Sequence, residues 1–72
     1  MSNVFENGAA VCEEFARHIF CDPQNKSMIV NVSNDWVDNL INRMNKIGFN
    51  LITKIEMDNT TTVVFCLAKI KA

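Results

Sequence analysis

The sequence predicts an α+β two-layer sandwich, with two helices on one face of a mixed three- to four-stranded sheet in the order (β)αβαββ. Three observations carry this prediction. Apolar residues recur at helical spacing in two stretches, over 11–19 and 36–47. Apolar and β-branched segments that read as strands follow each of them. Turn residues punctuate the chain at Asp22-Pro23, Gly48 and Asp58-Asn59-Thr60.

In the first helix, Val11, Cys12, Phe15, Ala16 and Ile19 form one apolar stripe that ends near Phe20. Glu13, Glu14, Arg17 and His18 lie opposite, with Glu13–Arg17 and Glu14–His18 spaced as i,i+4 pairs. Its start reads two ways. Asn3 with Glu6 forms a capping box that starts the helix at Val4. Alternatively, Asn3 to Phe5 is a short edge strand, Glu6-Asn7-Gly8 is a turn, and the helix begins near Ala9. Asp22-Pro23 stops the helix, because the residue before proline is pushed out of the α region. Ser27 to Val32 reads as a strand with Met28, Val30 and Val32 on one face. Ser33 or Asn34 is placed to cap the next helix.

That second helix carries Trp36, Val37, Leu40, Ile41, Met44 and Ile47 on its apolar stripe. Asp35 and Asp38 open it, and Arg43 and Lys46 lie toward its end, as the helix dipole favours. Gly48 is positioned as a left-handed terminator, with Phe49 folding back on Met44. From Phe49 to Met57 the residues alternate, with Phe49, Leu51, Ile55 and Met57 on one face. Thr61 to Ile70 is the last strand. Its run Val63-Val64-Phe65-Cys66-Leu67-Ala68 is apolar on both faces, which marks a central strand. A right-handed crossover makes the strands at Met28 and Phe49 parallel, with the last strand between them. The sheet face away from the helices then presents Ile29, Ile52 and half of the last strand's apolar residues, a surface that suggests a partner or a homodimer.

The 72 residues make a single domain, 1–72, with 49 % hydrophobic residues and two glycines. There is one histidine, and no G-x-x-x-x-G-K loop occurs, since the chain has only Gly8 and Gly48. Catalytic and cofactor-binding residues are therefore expected to be absent, and the chain is not expected to be an enzyme. Seven Lys plus Arg against eight Asp plus Glu leave a net charge of −1 with no basic cluster, so nucleic acid is not an expected partner. The three cysteines, Cys12, Cys21 and Cys66, form no C-x-x-C pair. On one helix, Cys12 and Cys21 would stand roughly 13 Å apart, too far for a disulfide. Reduced thiols point to the cytoplasm. The N-terminal MSNVFENGAA lacks the pattern of a signal peptide, and no run of about 20 apolar residues spans a membrane. The ten asparagines fit an AT-rich genome, such as that of a phage or low-GC bacterium.

From Met28 to Ile70 the pattern resembles the TusA-like (SirA-like) sulfur-carrier family. The strand Met28-Ile29-Val30-Asn31-Val32, the helix opened by Asn34-Asp35, the run Gly48-Phe49-Asn50-Leu51-Ile52, Glu56 before a turn and the final strand carry the resemblance. It implies a two-layer fold and a persulfide carried on a cysteine in a Cys-Pro-x-Pro motif at the start of the first helix. Here Cys12-Glu13-Glu14-Phe15 stands in that place, without either proline. The same fold group includes the nucleic-acid binder Alba, a function that the charge balance disfavours.

Cys12 is thus the candidate sulfur carrier, provided that it is exposed and ionises readily near a helix N-terminus. Its place amid Phe15, Ala16 and Ile19 argues instead for core packing. His18, Cys21 and Asp22 make half a metal site, but a structural zinc needs four ligands, so no metal is expected. Trp36, Phe5 and Phe20 are read as core before interface anchors. Adjacent Glu13 and Glu14 point about 100° apart and read as solvated surface. The function expected is a non-enzymatic module that binds another protein or itself, as a regulator or a small phage-type inhibitor of a host factor. The alternative is a persulfide carrier using Cys12.

Overall fold

The apolar stripes and alternating segments assemble into a two-layer α+β domain. The computed structural model describes residues 4–67. Helix α1 spans Val4–Phe15, and strands β1 (Ala16–Asp22) and β2 (Ser27–Ser33) follow it. A 3-10 turn, Asn34–Trp36, leads into helix α2 (Val37–Lys46), and strands β3 (Phe49–Glu56) and β4 (Thr60–Leu67) complete the described chain. The sheet is open, in the order β1-β2-β4-β3, and each neighbouring pair is antiparallel. Strands β2 and β3 run the same way, joined through α2, with β4 between them as its two-sided apolar pattern predicts.

One stretch departs from the expected order, which is αββαββ instead of (β)αβαββ. Val4 and Phe5 are already helical, so they form no edge strand, and the helix does not wait until Ala9; Asn3, its expected cap, lies outside the described residues. It ends at Phe15, five residues early, and Ala16–Asp22 turns back as β1. Ile19 fits both periods, one turn beyond Phe15 or two residues before Cys21. Pairing decides for the strand, because β1 shares β2's length with Phe20 opposite Ile29 and Cys21 opposite Met28. Asp22-Pro23 is therefore a hairpin turn and not a helix stop. The Asp22 carboxylate accepts from the Asn25 amide Nδ2 at 2.8 Å, and Lys26 N–H donates to Pro23 O at 3.3 Å. The i,i+4 pairs Glu13–Arg17 and Glu14–His18 lose their helix, and Glu14 instead reaches Arg43 of α2 at 3.5 Å.

Both helices cover one face of the sheet. The core between the layers holds Cys12 of α1 and Val37, Leu40 and Met44 of α2. From the sheet come Met28, Val30, Val32, Phe49, Val63 and Phe65. Gly8, read as a turn residue in one alternative, lies inside α1, where a Cβ would stand 2.4 Å from the Phe49 ring. Its hydrogen lets helix and sheet close to ring contact. Gly48 takes φ +106° after α2 and donates its N–H to Asn45 O at 3.2 Å, one of the two bonds of a Schellman ending.

Neither Ser33 nor Asn34 caps a helix with its side chain. Asn34 instead ties the entry to α2 onto the β3–β4 turn. Its Nδ2 donates to Met57 O and Asp58 O, and its Oδ1 accepts from the buried Thr61 hydroxyl at 2.6 Å. A bulge between Leu51 and Thr53 interrupts the alternation expected along β3. Phe49 and Leu51 face the helices, but beyond the bulge Thr53 and Ile55 face the other way.

Candidate functional site

Cys12 sits near the end of α1, two turns beyond its first residues, where the N-terminal dipole has fallen away. Its side chain is fully buried. The Sγ rests 3.8 Å from Met44 Sδ and 4.0 Å from Met28 Sδ, in a sulfur-lined part of the core. Burial, helped by the nearby Cys21 thiol, pushes its pKa up to about 12. A thiol there is almost entirely protonated at neutral pH, whereas sulfur chemistry requires the thiolate.

The other residues singled out do not converge. His18 and Cys21, three apart on a strand, point to opposite faces. Among the described residues no three metal-ligating side chains come together. Glu13 and Glu14 are exposed on α1. Phe5 is half-buried against Phe49, with ring centroids 6.2 Å apart. Trp36, expected in the core, leaves the α2 stripe because the 3-10 turn precedes the helix. It remains largely exposed, stacked at 5.6 Å on Phe15, which also receives the Arg43 guanidinium at 5.4 Å. A shallow groove of about 320 Å³ lies between Asn34, Val37, Asp38, Lys54, Glu56 and Thr61. Lys54 and Glu56, two apart on β3, pair at 3.6 Å along one wall of it.

The residues that do come together lie on the sheet face away from the helices. Strand pairing aligns three rungs across all four strands. The middle rung is Phe20, Ile29, Val64 and Thr53. Flanking it on one side are His18, Asn31, Thr62 and Ile55, and on the other Asp22, Ser27, Cys66 and Asn50. Phe20 is 63 % exposed, Ile52 60 %, Ile55 54 % and Ile29 43 %. Ile29 was readable in the sequence as a member of this face; Ile52, expected there too, is exposed but lies in the β3 bulge, outside the pairing. Phe20 and Ile55 were not readable as members, and both are corrections. Phe20 was assigned to a buried helix end, although the alternation His18-Ile19-Phe20-Cys21 carried the signal. Ile55 was assigned to the side of Phe49 by an unbroken alternation, and nothing in the composition around it marks the bulge.

Fold and site together define an open-faced α/β domain with an apolar sheet surface and a chemically quiet core. No family model matches the chain, and no curated protein or solved structure matches it.

Proposed function

We propose that the protein is a non-enzymatic binding module that acts by protein–protein contact through the open face of its sheet. One observation carries this reading: an apolar rung from Phe20 through Ile29 to Val64, with Ile55 on the next rung and Ile52 exposed at the β3 bulge, that neither helix covers. A contiguous apolar surface on so small a domain is the usual mark of a binding site. The three free thiols suit a reducing compartment such as the cytoplasm, and a regulator or inhibitor of another protein fits this design.

The sulfur-carrier reading has less support. It requires an accessible, ionised Cys12, and the thiol is enclosed by Met28 and Met44. A nucleic-acid role would draw on clustered cations, but Arg17, Lys26, Arg43, Lys46 and Lys54 are dispersed over β1, a hairpin turn, α2 and β3.

The test compares protein retained from a source-cell lysate by the immobilised wild type, Ile29→Lys on the open face and Asn42→Lys on exposed α2. Asn42→Lys is expected to retain what the wild type retains, and Ile29→Lys to lose it. Equal retention by Ile29→Lys overturns the assignment of this face.

A further inference from the structure

We infer that the open sheet face closes on a second copy of the same chain, giving a symmetric dimer of four layers, helix–sheet–sheet–helix. This rests on the reading of that face as a contact surface and names its occupant.

The first ground is charge. The chain has fifteen charged side chains, seven basic and eight acidic. On the three rungs only Asp22 belongs to that set; it lies at a corner and is engaged by Asn25, and exposed Arg17 adds one charge at the margin, in the β1 bulge beside His18. The other described charges lie on the helices, in the turns, at the β1 bulge or on the helix side of β3. A solvated sheet face normally alternates apolar-in with polar-out and carries lysines and glutamates there. Around its apolar centre this face carries serine, threonine, asparagine, Cys66 and His18, with Asp22 at a corner, a composition poor in charge as interface cores are. A face whose centre is uncharged offers little to a strongly charged partner. It meets its own copy without like-charge repulsion, and the chain's net charge of −1 adds little.

The second ground is the state of the edges. Two copies could otherwise join strand to strand, but both edge strands are bulged, β1 between Ala16 and His18 and β3 between Leu51 and Thr53. Bulges on edge strands twist the free backbone groups out of register for pairing. Self-association is thereby directed from the edges to the face.

The third ground is area. Strands about 4.8 Å apart and rising about 3.3 Å per residue make this face roughly 19 by 23 Å, about 440 Å² in projection. Two copies cover about 900 Å² in projection, and the relief of interdigitated side chains brings the total to about the 1,000 Å² at which specific interfaces begin. The expected dimer is therefore weak, with a dissociation constant of about 10–100 μM.

Sedimentation velocity from about 5 to 500 μM tests this. The wild type should pass from one-chain to two-chain mass over that range, with less than about twofold change in affinity between low and high salt. Phe20→Lys and Ile55→Lys, both at well-exposed positions, should each weaken association about tenfold or more while circular dichroism and melting stay close to wild type. Should one variant fail to fold, the other decides. A wild type that stays monomeric throughout overturns the second copy as occupant. If Ile29→Lys nevertheless loses a protein that the wild type retains, the contact face itself survives. A dimer that persists unchanged in both variants overturns the face as the site of self-association.

Discussion

At the scale of the residue, the sulfur of Cys12 shows how burial decides chemistry. The same side chain would be a reactive thiolate in an open first turn and is a small apolar filler against Met28 and Met44. In the native protein a thiol probe at neutral pH should modify Cys21 and Cys66, both partly exposed, before Cys12. Fast labelling of Cys12 would restore the carrier reading. The raised pKa also sets a direction for stability. The fold favours the protonated thiol, so this contribution is intact below an ordinary thiol pKa of 9.0 and is lost as pH climbs toward about 12. Denaturant melts across that interval should show a fall in stability that is shallower in Cys12→Ala. That Cys12 belongs to the core was readable from its neighbours Phe15 and Ala16. The thioethers of Met28 and Met44 were not, because they arrive from a strand and a helix 16 and 32 residues away.

At the scale of the element, helix–sheet distance is set by one missing methyl group. Gly8 lets α1 settle on the Phe49 ring, and an alanine Cβ there would overlap atoms of that ring. Phe49 is fully buried and cannot swing aside freely. Gly8→Ala gains about 1 kcal/mol of helix propensity and meets an overpacking cost of about 1–3 kcal/mol. The expected result is a net loss of stability, read as a lower denaturant midpoint; an unchanged or raised midpoint would show that α1 can shift outward at little cost. Two stretches were readable because a single period fits them, although the sequence did not show that α2 opens after a 3-10 turn holding Trp36. The α2 stripe of Val37, Leu40 and Met44 is helical only, and the Met28, Val30 and Val32 set fits a strand only. The stretch Ala16–Asp22 satisfies both periods, and the long-range ladder with β2 settled it. The β3 bulge left no local mark, and it moved Ile55 from one side of the sheet to the other.

At the scale of the whole molecule, two layers leave one sheet surface to water, and the molecule's association behaviour follows from that. If the face pairs two copies, the folded dimer is favoured by mass action, and the melting temperature should rise with protein concentration in the wild type. In Phe20→Lys it should be flat. A wild-type midpoint independent of concentration across the same range would contradict a dimer. The architecture itself was readable: two helical stripes, a crossover and a last strand apolar on both sides are enough to require one sheet under two helices. The composition of the open face was only half readable, since it needs the true register of β1 and β3.

The place of β4 carries a consequence for how the sheet is assembled. Among the described residues, strand β3 has no hydrogen-bonded neighbour except β4, and β2 gains its second neighbour only from β4. Before residues 60–67 are in place, the two helices and the β1–β2 hairpin can form, but β2 and β3 lack the strand that hydrogen-bonds them into one sheet. The sheet is therefore completed only when β4 slides into the gap that the earlier strands leave open.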